Sequence, residues 1–321
     1  QAVKQSAGMR VAYNETGGDG GGAWLGPNAV MHLWSSKYPS GFVDNLAKGN
    51  GGGVAVVRGA SLAIFHAGGP AQPTEISRNS AERGGGVYLF TDIPAVASLQ
   101  AHGMIGADNS ALVEGGFASI HMIGDSGGLR IGEVHVDAST FFGGSPCDQP
   151  LECNVFRGNA AIARDGTPQP GALVAIRNDG KAAVGFARFW NVTARENFGH
   201  DLAHAWSDAP SGYAEEVEFR DSLMVRNIAE KHLVETEGDA ALHVFGSTFA
   251  RNETGAATLQ ADDASSSVYM YGSIFDDDAI RAAETALLRF RTVQGDVFKD
   301  AIGYAPDVAT VLGTDLPSAA I

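Results

Sequence analysis

One residue type recurs at intervals that limit what this chain can fold into. Asn14, Asn45, Asn79, Asn109, Asn159, Asn197, Asn227 and Asn252 follow one another at intervals of 31, 34, 30, 50, 38, 30 and 25 residues. In the first four copies a glycine run follows after four or five residues: Gly20–Gly22, Gly51–Gly53, Gly84–Gly86 and Gly115–Gly116. An apolar residue usually sits three positions before the Asn, as Val11, Phe42, Ile76, Phe156, Met224 and Phe249 show, and Gly106 and Ala194 break that rule. Repetition at a period of 20–50 residues is the mark of stacked repeats, in which each unit buries its apolar face only against its neighbours.

The segments between the Asn positions are short and rich in Val, Ile, Phe, Thr and Tyr. They suit strands better than helices. A unit of about 30 residues with several short strands predicts an all-β chain: a right-handed parallel β-helix of about nine to twelve coils, forming one domain over 1–321. One segment departs from this. The pattern of Ile280, Ala283, Leu287 and Leu288 predicts a short helix near 279–290. In a β-helix the Asn residues of successive coils lie one above another, about 4.8 Å apart. Asn tolerates the left-handed conformation of a tight turn, and stacked side-chain amides can hydrogen-bond as a ladder. Asn14, Asn45, Asn79, Asn109, Asn159, Asn197, Asn227 and Asn252 are therefore expected to turn the chain and to form one structural ladder. The glycines are expected to allow the bend into the next strand and close approach between coils.

The motif Phe-x-x-Asn, in "FVDN" (42–45), "FRGN" (156–159) and "FARN" (249–252), is coupled to Gly-Gly-[Ala/Val] strands. This pairing resembles the repeat of bacterial polymorphic outer-membrane proteins and related secreted β-helix proteins. The resemblance covers roughly residues 10–255, with the glycines fading in the later units. It implies a surface-exposed passenger or adhesin. No outer-membrane barrel segment is recognisable in the chain, so an anchor is expected to be absent or elsewhere.

Composition removes several function classes. Net charge is −15 and no Lys- or Arg-rich run occurs, which argues against nucleic acid and anionic membrane surfaces as partners. No apolar run is long enough to span a bilayer. Cys147 and Cys153 flank Pro150 in "CDQPLEC", and their spacing suits a disulfide closing a loop insertion at 143–153. Two free or metal-binding thiols are the alternative. A disulfide implies an oxidising compartment, hence a secreted or cell-surface protein.

Candidate chemistry lies in the later coils. Aligning "FARFW", "VEFRD", "HVFGS" and "YMYGS" points Ala187, Phe189, Val217, Phe219, Leu242, Val244, Val268 and Met270 inward. Two outward columns result: Arg188, Glu218, His243 and Tyr269, beside Trp190, Arg220, Phe245 and Tyr271. Such a face can bind a cell-surface glycan or a protein, or simply satisfy itself by Arg–Glu pairing and cation–π stacking. A second polar cluster comprises His200, Asp201 and His204, with His232 and Glu235 one coil later. These residues suit acid–base or metal chemistry, although no zinc motif is present. Without such a motif, no metal and no cofactor are expected. A weaker cation site for Ca²⁺ is offered by Asp262, Asp263 and Asp276–Asp278, which lack the spacing of a calcium loop. Arg78, Arg157, Arg195, Arg226 and Arg251 recur one or two positions before the Asn and could form a basic stripe. A Gly-rich phosphate cradle is excluded, because the glycines recur and lead into strands rather than a helix. The leading expectation is a structural, adhesive or fibre-forming β-helix with end-to-end self-association. The alternative is a polysaccharide lyase or glycoside hydrolase working on an outer sheet face.

Overall fold

In a computed structural model, the chain is described over residues 3–34, 40–65, 72–123, 130–137, 154–180, 183–207, 215–261, 266–276, 287–290 and 297–299. These residues wind into a right-handed parallel β-helix. Every strand pairs in parallel with its counterpart one coil away, giving two ten-stranded sheets and two eight-stranded sheets. We number the sheets 1 to 4 in the order the chain visits them. Sheet 1 begins with Val3–Ala7, sheet 2 with Arg10–Ala12, sheet 3 with Glu15–Thr16 and sheet 4 with Ala23–Leu25. Eight coils carry all four strands, and two further coils carry strands of sheets 1 and 2. The predicted helix near 279–290 is not borne out where the structure describes it. Leu287–Phe290 is a strand of sheet 1 paired with Ser267–Met270, and Leu288 and Phe290 take the register positions of Val268 and Met270. The rest of that segment, 279–286, lies outside the described residues, as does the Cys147–Cys153 loop.

The ladder forms through Asn14, Asn45, Asn79, Asn109, Asn159, Asn197, Asn227 and Asn252. Each Nδ2 donates to the Oδ1 of the next Asn at 2.8–3.0 Å. Each main-chain N–H donates to the same oxygen at 3.0–3.2 Å. From Asn45 onward, Nδ2 also donates back to the carbonyl three residues before the preceding Asn, at 2.8–3.2 Å. Asn79 thus receives Asn45 and donates to Asn109, while Asn227 receives Asn197 and donates to Asn252. Both amide protons and the acceptor oxygen are used, which a buried amide requires. The 50-residue interval between Asn109 and Asn159 does not interrupt the column.

The turn itself is made differently from expectation. None of the eight ladder residues takes the left-handed conformation, neither Asn79, Asn227 and Asn252 nor the other five. The left-handed residue is the one before the Asn: Tyr13, Asp44, Arg78, Asp108, Gly158, Glu196, Arg226 and Arg251 have φ between 53° and 62°. The Asn is free to turn its amide inward because its predecessor takes the strain. Arg78 and Arg226 in this exposed column pair with Asp44 and Glu196 from the coil before, at 2.8 and 2.9 Å. A continuous basic stripe is therefore absent from the described turns.

The glycines work as expected. Gly51 has φ +70°, and a Cβ on Gly52 would fall 2.4 Å from the Gly85 carbonyl oxygen of the next coil. The interior explains the two exceptions to the apolar rule. One aromatic ring fills each coil from the fourth to the eighth: Phe117, Phe156, Phe189, Phe219 and Phe249, with centroids 4.8–6.2 Å apart. In the fourth coil the ring comes from Phe117, and a Cβ on Gly106 would lie 2.8 Å from it. In the sixth the ring comes from Phe189, and the usual large side chain shrinks to Ala194. A second, shorter ladder of Ser222, Ser247 and Ser273 joins sheets 1 and 2 in the later coils, each hydroxyl accepting a main-chain N–H from the coil before at 3.1–3.3 Å.

Removing one rung tests the ladder. Asn159→Ala strips partners from Asn109, from Asn197 and from the Gly106 carbonyl inside the stack. At about 1–3 kcal/mol per buried unsatisfied group, the loss is expected to reach roughly 3–5 kcal/mol. Asn14→Ala, at the exposed first rung, is expected to cost under about 1 kcal/mol. Equal shifts of the two denaturation midpoints would contradict a ladder that carries stability.

Candidate functional site

Sheet 1 strands alternate cleanly between interior and exterior. In Ala183–Trp190 the exposure pattern has period two, with Ala187 and Phe189 buried and Arg188 and Trp190 facing out. Register carries this outward set along the stack. Arg188 aligns with Glu218, His243 and Tyr269, and Trp190 aligns with Arg220, Phe245 and Tyr271. Both columns match the order read from the sequence, and all eight predicted inward residues are buried.

The face carries the expected Arg–Glu pairing and cation–π stacking, with the Arg188 pair running diagonally between coils. Arg188 bonds Glu216 at 3.1 Å and approaches Glu218 at 3.8 Å. Glu218 forms an ion pair with Arg220, two residues along its own strand, at 2.8 Å. The Arg220 guanidinium lies between aromatic rings, 4.5 Å from Trp190 and 5.2 Å from Phe245. His243 meets Tyr269 edge-on at 4.7 Å. Glu216 was missed from the sequence; it stands two residues before Glu218, on the same outward face, and that period was the available signal.

Two carboxyls in this face are driven apart electrostatically. Burial opposes ionisation of Glu216, but the bonded Arg188 outweighs it and holds the carboxyl below its usual range. Burial pushes the Glu218 carboxyl up, with the neighbouring Glu216 charge adding to it and Arg220 opposing. Burial also lowers His243. Ligand atoms of Glu216, Glu218 and His243 lie within 4.8 Å of one another. Two neighbouring carboxyls with values pushed in opposite directions are the arrangement that general acid–base chemistry uses.

The second cluster forms where sheet 3 passes into sheet 4. Asp201 and Glu235 are fully buried, and His204 aligns with Glu235 in the sheet 4 register. His200 and His204 both direct Nδ1 at Asp201 Oδ2, at 3.1 and 3.0 Å. Asp201 Oδ1 accepts the Gly171 N–H at 2.7 Å, and Lys231 binds Glu235 Oε1. The hydrogen bond to Asp201 raises His200. Burial works against a charged His204, but Asp201 and Glu235 overcome it and raise its value to about 9. His232 opens the adjacent strand, also buried, while the described bonds knit the cluster through Lys231, which sequence reasoning overlooked. Asp262 and Asp263 lie outside the described residues, as do Asp277 and Asp278, and Asp276 ends a strand of sheet 2.

One buried acid also escaped notice. Glu215 opens the Glu215–Arg220 strand and turns into the interior, where Asn178 Nδ2 donates to its Oε1 at 2.7 Å. Burial pushes its value to about 8.

Comparison with protein-family models, curated proteins and solved structures finds no match to this chain. Fold and site chemistry define a parallel β-helix with a polar, aromatic-lined outer face.

Glu215 sets a pH test. Its folded value lies above its unfolded value near 4.5, so its contribution to stability is present below that pH and lost as pH rises through about 8. Glu215→Gln is expected to remove this slope and to gain on the order of 3 kcal/mol over the parent at pH 9. A residual decline above pH 7 belongs to His200 and His204, whose raised values act in the same direction. Denaturation midpoints across pH 5–9 measure it, and parallel curves for parent and variant would refute the assignment.

Proposed function

We propose that this chain is a secreted or cell-surface β-helix that binds an extended glycan along the outer face of sheet 1, in an adhesive role. The observation that supports it most is the two-column face of Arg188, Glu218, His243 and Tyr269 beside Trp190, Arg220 and Phe245. Half-exposed rings and paired charges stand there at the regular spacing of stacked strands. Sugar rings stack on such aromatic and guanidinium surfaces, and their hydroxyls bond to carboxylates and Arg. The localisation is proposed from the way the Phe-x-x-Asn and Gly-Gly repeat resembles that of polymorphic outer-membrane proteins. End-to-end association of coils is part of this reading, since a parallel strand of another copy can add to a sheet edge.

A second reading is favoured by the Glu216–Glu218 pair alone. Neighbouring carboxyls, one favouring its charge and one its proton, suit a retaining glycoside hydrolase with Glu218 as acid and Glu216 as nucleophile, and leave no room for the water that an inverting enzyme's base activates. Its Arg188 clamp leaves Glu216 weakly nucleophilic, which places this reading second.

Binding to a panel of acidic and neutral polysaccharides tests the first reading. Arg220→Ala is expected to weaken binding about 10-fold, through the lost stacking and charge. Arg58→Ala, on the exposed Arg58–Asp92 pair of earlier coils, is expected to leave binding unchanged. Equal effects of the two substitutions would sink the assignment to sheet 1. Release of reducing ends, abolished by Glu218→Gln, would replace it with the hydrolase.

A further inference from the structure

We propose that the corner between sheets 3 and 4 is a binding site for a divalent transition metal, Zn²⁺ above all, held by His200, Asp201, His204 and Glu235 and joining the sixth coil to the seventh. Ligand atoms of His200, Asp201 and Glu235 lie within 4.8 Å of one another, and His204 Nδ1 joins them through the two carboxylates. Asp201 Oδ2 lies 3.1 Å from His200 Nδ1 and 3.0 Å from His204 Nδ1. Glu235 Oε2 lies 3.9 and 3.7 Å from the same two nitrogens. A tetrahedral zinc ion with bonds of about 2.0–2.1 Å separates its ligand atoms by roughly 3.3 Å. The four imidazole–carboxylate separations bracket that value; His200, Asp201 and Glu235 form the gathered side, and His204 completes the shell by turning its ring towards them.

The outer oxygens distinguish this cluster from a chance gathering of charges. Each carboxylate has one oxygen anchored away from the centre: Asp201 Oδ1 by the Gly171 N–H, Glu235 Oε1 by Lys231. The remaining oxygens, Oδ2 and Oε2, are thereby aimed at the two imidazoles. Fixing of ligands by partners outside the shell is how metal sites hold their geometry. Two imidazole nitrogens and two carboxylate oxygens suit zinc better than the all-oxygen preference of calcium or magnesium. Asp201 and Glu235 are buried to 0% exposure, and the His200 side chain, at 29%, provides the open side for entry.

The position in the repeat gives the ion a purpose. The Gly-Gly corner that packs one coil on the next runs through Gly85 and Gly116 and ends at Gly171. In the next two coils the equivalent corner is "GHDL" (199–202) and "EKHL" (230–233), with bulkier polar residues. A metal bridging Asp201 to Glu235 supplies there the inter-coil cohesion that glycine contacts supply earlier.

The test uses the whole chain, stripped with a chelator and titrated with ZnCl₂, and with CoCl₂ read by its visible absorption. One Zn²⁺ per chain and a rise in melting temperature are expected, with Co²⁺ giving the intense bands of a tetrahedral site. His200→Gln, at the rim, is expected to keep the fold by circular dichroism and to weaken binding at least ~10-fold. His204→Gln is expected to do the same. His243→Gln, in the separate sheet 1 cluster, is expected to bind as the parent does. No saturable binding overturns the proposal. So does unchanged binding in the folded His200→Gln chain, or loss in His243→Gln with retention in His200→Gln.

Discussion

The Asn ladder is the interaction on which the rest of the molecule depends. A solenoid has no distant contacts to fix its register, so each coil must be aligned locally by its neighbours. A slip of one residue would exchange the interior and exterior faces of every strand. The ladder prevents this because each inner Asn, as Asn79 shows, bonds groups on both adjacent coils, and only one alignment satisfies them all. Between Asn109 and Asn159 the chain takes about one and a half times the usual length and still returns to the same rung. The extra length falls between described strands of neighbouring sheets, where closing a longer loop costs little.

A fixed register then decides the outer faces. With Ala187, Phe189, Val217 and Phe219 locked inward, Arg188, Trp190, Glu218 and Arg220 have nowhere to go but out. Their partners are set by reach as much as by alignment. Arg188 leans to Glu216 rather than to Glu218 directly above it, and Arg220 bends back along its own strand. The Arg188 contact is why Glu216 favours its charge, while burial makes Glu218 hold its proton more tightly in spite of Arg220. The same stacking brings His204 against Glu235, and the turn before it brings Asp201 beneath both imidazoles.

Legibility differed from place to place for physical reasons. The columns through Arg188 and Trp190 could be read because strand alternation has period two and coil-to-coil register follows the Asn spacing. Glu216 could have been read the same way, had the strand been extended one outward position earlier. The short C-terminal pattern at Leu287 and Leu288 misled, since a few apolar residues fit helical and strand spacing alike, and stacking on Ser267–Met270 settled it. Lys231 and Gly171 gave no sign in the sequence of their roles, because one contributes a charge and the other a main-chain N–H across a coil boundary.

From its sequence alone this chain determined a stacked β architecture, the identity of the ladder residues from Asn14 to Asn252 and which side chains leave the core. Those properties follow from local periodicities, in which spacing along the chain maps directly onto position in space. Only the tertiary structure decided that the left-handed turn residue precedes each Asn, that Phe117 and Phe189 displace the usual ring at Gly106 and Ala194, and which carboxylate meets which base. Those outcomes depend on distances of a few tenths of an ångström between residues about 25 to 50 positions apart. No spacing rule encodes such distances, because they are set by how neighbouring coils share volume and charge.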